Sequence, residues 1–182
     1  GSDLHMTEAT SIVPLPGGSV MGHEFAGEIV EVGREVKGLW KEGDRVAGFP
    51  YIPSGKCPAC LAGSTVLGAC TGGLGVGLGQ SHGAYADYVR IGSWSAHKLP
   101  DIVSFREGAL VEPLAVGLHA VDKAQMERGA TVLVIGAGPV GLAVMLWARF
   151  LGARHVIVSE RAPIRREMAA RFGATDAIDA NK

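Results

Sequence analysis

Residues 131–141 read TVLVIGAGPVG, and this stretch decides the fold. Thr131–Ile135 is an unbroken, largely β-branched apolar run, the pattern of a parallel strand buried on both faces. Gly136-Ala137-Gly138-Pro139-Val140-Gly141 follows as GxGxxG, and a helical pattern runs on from Gly141 to Leu151. Alone the glycine spacing says little; between a buried strand and a helix it points to a dinucleotide-binding loop. In that reading Gly136 makes the tight turn, Gly138 lets the backbone touch a pyrophosphate, and Gly141 lets helix and strand pack closely. The free N–H groups and the positive end of the helix dipole then face the phosphates.

The chain downstream fits. A second strand is expected over His155–Val158, a helix over Pro163–Phe172 with Gly173 as its C-cap, and a third strand near Ala177. This is β-α-β-α-β, the opening of a doubly wound sheet. Glu160 closes the second strand, roughly 20 residues past the glycines, where a carboxylate accepts hydrogen bonds from ribose hydroxyls. A carboxylate there repels a 2′-phosphate and favours NAD. Arg161, Arg165 and Arg166 weigh toward NADP, or form a solvated helix face.

Upstream the pattern changes. Ser104-Phe105-Arg106-Glu107 has the form of a capping box ahead of helical sequence, and Val111–Val121 is apolar but interrupted by Glu112-Pro113. Before it lie short alternating segments. Phe25–Val32 (FAGEIVEV) reads as a strand, residues 41–47 as turn then strand, and Ala84–Ile91 (AYADYVRI) as another strand. Residues 54–83 hold too much Gly and Ser for a regular element. The two regions meet between residues 122 and 130, which gives a β-rich domain over 1–125 and a dinucleotide domain over 126–182.

Composition sets the outer bounds. With 182 residues, 47% apolar and 19% charged, the chain can bury a core and is not disordered. Lys+Arg 17 against Asp+Glu 18 leaves no basic excess for binding nucleic acid by bulk charge. The 27 glycines are about twice the usual share and have no collagen period. No charge falls between Ala130 and Ala148, but the glycines and Pro139 break that run, so strand, loop and buried helix explain it better than a membrane span. Three cysteines, an odd number, without a signal peptide suggest a cytoplasmic chain rather than a disulfide scaffold.

GSDLH (1–5), GHEFAGEIVEVG (22–33), EGDRVAG (42–48), KCPAC (56–60), GAYADYV (83–89), EPLAVGLHA (112–120) and VLVIGAGPVGLAV (132–144) together resemble the medium-chain dehydrogenase/reductase superfamily. The resemblance is to its zinc-dependent polyol and threonine dehydrogenase-like branch. It implies a GroES-like catalytic domain followed by the start of a Rossmann domain. It implies a reaction in which a secondary alcohol or polyol passes hydride to NAD(P). It makes His23 a catalytic-zinc ligand, Glu24 a ligand or close neighbour, and Glu112 the third protein ligand. Asp3 would orient His23, Ser2 would take the proton from the substrate hydroxyl, and His5 would pass it on. His119, seven residues after Glu112, reads as a packed helical histidine. Substrate specificity would come partly from the loop Pro14–Val20.

The resemblance also implies a zinc-binding cysteine just before Gly1, and missing sequence beyond both ends. The 182 residues alone are then expected to turn over little substrate. Cys57, Cys60 and Cys70 match a lobe that holds a structural zinc with four thiolates, but Ser54 stands where one cysteine belongs and the Cys60–Cys70 interval is long. Three thiolates and a hydroxyl make a poor closed zinc site. A small-molecule alcohol or ketone substrate and a homodimeric or homotetrameric parent are implied, with no nucleic-acid or membrane partner. The alternatives are a zinc-free quinone-reductase-like enzyme and a non-catalytic NAD(P)-binding relative.

Overall fold

The computed structural model describes residues 1–8, 11, 15–36, 38–64 and 69–182. Its chain forms two compact units, Gly1–Glu112 and Pro113–Lys182.

The first unit opens with a helical turn, α1 (Ser2–Met6). Strands β1 (Ala26–Glu28) and β2 (Arg45–Gly48) follow, then β3 (Tyr51–Ile52), the short helix α2 (Pro58–Leu61), β4 (Leu74–Gly75), β5 (Ala96–Lys98) and the short helix α3 (Phe105–Gly108). β2 is the centre of an antiparallel sheet β1-β2-β5, with Ala26 opposite Ala47 and Val46 opposite Lys98. Its Val46 and Ala47 are buried, with Leu99 just beyond β5. Arg45 ties the sheet to the segment after β5. Its guanidinium donates to Pro100 O at 2.9 Å and lies 4.6 Å from the centre of the Phe105 ring.

The strand expected over Phe25–Val32 is real only over Ala26–Glu28. Ile29 N–H is already bonded to Asp44 O at 2.9 Å, inside the turn that begins β2, so the partner strand has run out. Ala84–Ile91 forms no strand. Its first residues bond instead to residues 21–22. The capping box forms as read: Ser104 N–H donates to Glu107 Oε2 at 2.9 Å, and Glu107 N–H donates to Ser104 Oγ at 3.2 Å.

Helix α4 (Val111–Lys123) begins at the end of the first unit. Pro113 lies in its first turn, where no intrahelical donor is lost. Compactness divides the chain ahead of the 125/126 boundary read from the sequence because α4 packs against the helix that carries Ala143 and Trp147. Trp147 Nε1 donates to Leu114 O at 2.7 Å, and Gly117 fits against Ala143.

The second unit continues as β6 (Thr131–Ile135), α5 (Pro139–Phe150), β7 (His155–Glu160), α6 (Pro163–Arg171) and β8 (Asp176–Asp179). The strands are parallel in the order β6-β7-β8, with Leu133 opposite Ile157 and Ser159 opposite Ile178. This is the expected β-α-β-α-β order. Val156 and Val158 of central β7 pack with Val134, Met145, Ala148 and Ala169, all buried. Among the described residues β6 pairs only with β7, and Ile135 is 83% exposed.

Candidate functional site

The first site is built on a backbone clamp. Gly83 N–H donates to Val20 O at 2.7 Å, Ala84 N–H to Gly22 O at 2.9 Å, and Tyr85 N–H to Met21 O at 2.9 Å. Gly22 adopts φ +100°, which a side chain disfavours, and a Cβ there would come within 2.8 Å of Tyr85 N and Cδ1. The next residue, His23, is therefore delivered from a rigid turn.

His23, Glu24 and Glu112 converge, with one potential ligand atom from each lying within 4.8 Å of the others. Asp3 Oδ1 stands 3.0 Å from His23 Nδ1, and both side chains are largely buried, 14% exposed for His23 and 18% for Asp3. The contact is off-line for a good hydrogen bond, and neither atom has another partner among the described residues. Asp3 Oδ2 accepts a hydrogen bond from the Tyr85 hydroxyl at 2.7 Å. That bond to Asp3 pushes the Tyr85 phenol above its usual range. Burial raises the Glu112 carboxyl, with Glu24 adding to the rise and His23 opposing it.

These residues fit a divalent ion of the zinc type. An imidazole and two carboxylates face one another, a nitrogen–oxygen donor set of zinc-site composition. With Nδ1 turned to Asp3, Nε2 of His23 is left to ligate. The carboxyl–imidazole pairing is the one usual beside zinc-bound histidines.

Ser2 and His5 are both exposed on α1, and His5 Nδ1 lies 3.1 Å from Glu8 Oε2. His119 is exposed on α4 rather than packed. Pro14 lies outside the described residues; Pro16, Gly17, Gly18 and Ser19 of its loop line a cavity of about 320 Å³ together with His82 and Arg90. Sequence reasoning missed Tyr85, whose ring lies on the clamp.

In the lobe, Cys57 Sγ and Cys60 Sγ are 3.5 Å apart, and Cys60 Sγ and Cys70 Sγ 3.4 Å. Ser54 Oγ stands 3.3 Å from Cys70 Sγ and 3.8 Å from Cys60 Sγ, at the fourth corner. The backbone N–H of Cys60 helps bring the Cys57 thiol down to about 6. The Ser54 hydroxyl lowers Cys70, while the hydrogen bond to Cys70 raises Cys60. Three sulfurs suit a thiophilic ion; the hydroxyl is a weaker donor than a fourth thiolate.

In the second unit, Gly136 turns at φ +96°, and a Cβ on Gly141 would collide with Gly136 O. Leu142 N–H takes Gly138 O at 2.9 Å as the first intrahelical bond. Pro139 has no N–H, so the amides of Val140 and Gly141 are unsatisfied within the helix. Glu160 is buried, 8% exposed. Its Oε2 accepts from Ala137 N–H at 2.9 Å and its Oε1 from Ala162 N–H at 2.8 Å. These bonds, the Ala162 one first, lower its carboxyl below the usual range. Of the arginines, Arg166 is bound to Glu160 O, Arg161 O and Asp179, and Arg161 Nε to Asn181; Arg165 is exposed.

The second unit carries a glycine loop on a parallel sheet, and the β-rich unit carries a histidine–carboxylate cluster. The chain belongs to the alcohol dehydrogenase GroES-like domain family, which it matches over residues 1–101. It is 38% identical over its whole length to the L-threonine 3-dehydrogenase of Colwellia psychrerythraea, covering 52% of that protein. It resembles the solved alcohol dehydrogenase TADH from Thermus sp. ATN1, with TM-score 0.87, 35% identity, and coverage of 100% of this chain and 53% of the other. A structure from Sinorhizobium meliloti 1021, described as a zinc-binding dehydrogenase bound to NADP, matches with TM-score 0.86 and 35% identity over 99% of this chain and 51% of that one. The chain thus spans about half the length of the curated relatives it matches. Among the described residues no helix is long and apolar enough to cross a membrane.

Proposed function

We propose that the chain carries the metal site and the dinucleotide loop of a zinc-dependent oxidoreductase that moves hydride between a secondary alcohol or polyol and NAD(P). Residues 1–125 act as the catalytic domain and residues 126–182 as the dinucleotide-binding one. The observation that carries this reading is the convergence of His23, Glu24 and Glu112 within 4.8 Å, in a chain that also presents the Gly136–Gly141 loop.

His23, Glu24 and Glu112 would hold the zinc. When bound, zinc supplies Lewis acidity toward a hydroxyl oxygen, and NAD(P) supplies the hydride acceptor. The protein's own part is orientation and proton movement. Asp3 Oδ1, 3.0 Å from His23 Nδ1, favours the tautomer that carries its proton on Nδ1 and leaves Nε2 as donor. Ser2 Oγ would accept the hydroxyl proton as it hands its own proton to His5, and His5 would release one to solvent, with Glu8 beside His5 Nδ1. The free amides of Val140 and Gly141 receive phosphate, supported by the Gly136 and Gly138 turn around Pro139. The exposure of Arg165 beside a bound-up Arg166 leaves Arg165 as the residue to meet a 2′-phosphate, while the Glu160 carboxylate favours NAD. The loop around Ser19, with His82 and Arg90, shapes substrate choice. The working protein is a cytoplasmic homodimer or homotetramer.

The test is oxidation of secondary alcohols, polyols and threonine with NAD⁺ or NADP⁺ by a chain extended to its relatives' length, with and without chelator. Chelator-sensitive reduction of the nicotinamide supports the reading. Dinucleotide binding with chelator-insensitive quinone reduction, or with no turnover, overturns it.

A further inference from the structure

We infer that Tyr85 is a positioning residue for the metal ligand His23, acting through Asp3; the inference rests on the proposed metal role of His23. The Tyr85 hydroxyl donates to Asp3 Oδ2 at 2.7 Å while Oδ1 of the same carboxylate lies 3.0 Å from His23 Nδ1. A carboxylate on a helical turn rotates about its own side-chain bonds. Holding one oxygen fixes where the other points. Without the phenol, Asp3 loses its hydrogen-bonded anchor at Oδ2 among the described residues, and the imidazole loses its fixed orientation with it.

The anchor is itself immobile. Tyr85 N–H is bonded to Met21 O, and its ring edge lies against Gly22, the residue before His23. The same backbone clamp therefore carries both the histidine and the phenol that orients its partner. Tyr85 is otherwise poorly placed for a packing role, since it is 67% exposed. An exposed aromatic whose polar tip reaches a largely buried carboxylate is there for the hydrogen bond. Gly83-Ala84-Tyr85 thus extends the metal site to a segment about sixty residues from His23, with Asp3 as the link between them.

The experiment is cobalt titration of the whole chain, wild type and Tyr85→Phe, each also in the Asp3→Ala background. Cobalt on thiolates gives an intense near-ultraviolet charge-transfer band that a nitrogen–oxygen set lacks, so the cysteine lobe is read separately. Loss of a group that orients a ligand costs about 10–100-fold in metal affinity. Tyr85→Phe is expected near the low end, about tenfold, with the thiolate band and the melting temperature unchanged. In the Asp3→Ala background the same substitution should change affinity by less than about twofold, because its route is gone. Unchanged affinity in Tyr85→Phe overturns the inference, as does a tenfold loss that persists without Asp3. A wild-type chain with no cobalt at nitrogen and oxygen donors overturns the metal reading beneath it.

Discussion

Glu160 holds the amide of Ala137 at 2.9 Å, so the last residue of β7 ties down the glycine loop at the end of β6. The carboxylate is buried, and its second oxygen takes Ala162 N–H. A residue read from sequence as a ribose acceptor is also a structural tie. A carboxylate has about four acceptor positions, so both roles are compatible.

Acidification should expose that tie. The folded-state carboxyl of Glu160 lies below its ordinary value. Its contribution is therefore complete above the unfolded value of about 4.3 and is lost as pH falls through the folded one. Thermal melting from pH 7 downward should show wild type losing stability in that acid range, and Glu160→Gln, destabilised throughout, showing a flatter profile there. Parallel profiles would contradict the assignment.

Gly141→Ala should damage the loop directly. A Cβ at this position meets Gly136 O, a backbone atom that cannot swing aside. Overpacking of this kind costs about 1–3 kcal/mol. Denaturant melts should register that loss, and fluorescence titration should show weakened NADH and NADPH binding together.

Ser54→Cys should convert the lobe. The serine hydroxyl already stands 3.3 Å from Cys70 Sγ, so a thiol at the same corner completes a four-sulfur set. Metal content after dialysis against chelator should rise by about one zinc per chain relative to wild type. Equal zinc retention by both chains would show that three sulfurs suffice.

Ser104→Ala should loosen α3. It removes the side-chain acceptor for Glu107 N–H and one partner of the Glu107 carboxylate. Loss of such a cap costs about 1 kcal/mol, read as a lower denaturation midpoint with an unchanged slope.

The parts of this molecule legible in sequence are those governed by local rules. The GxGxxG turn, the capping box at Ser104 and the β-α-β-α-β order all arise from neighbours within a few residues. What sequence obscured depends on distant partners. FAGEIVEV has strand alternation throughout, yet only three of its residues find a partner, because β2 begins at Arg45. AYADYVRI alternates equally well and joins none of the three sheets among the described residues. At the site, the family resemblance implied His23, Glu24 and Glu112 as a set, and the structure places them within 4.8 Å of one another. Tyr85 was not, since its partner Asp3 lies 82 positions away and nothing in GAYADYV marks its hydroxyl.

The clamp between residues 20–22 and 83–85 also orders events in time. Val20 and His82 are 62 positions apart, so the clamp closes a long loop whose entropy must be overcome before its bonds form. In the parallel unit the paired positions of β6 and β7 are 24 apart, a shorter loop to close. The histidine cluster is accordingly expected to form after the parallel unit. Protection of the Gly83, Ala84 and Tyr85 amides from hydrogen exchange is the clock that marks when it exists.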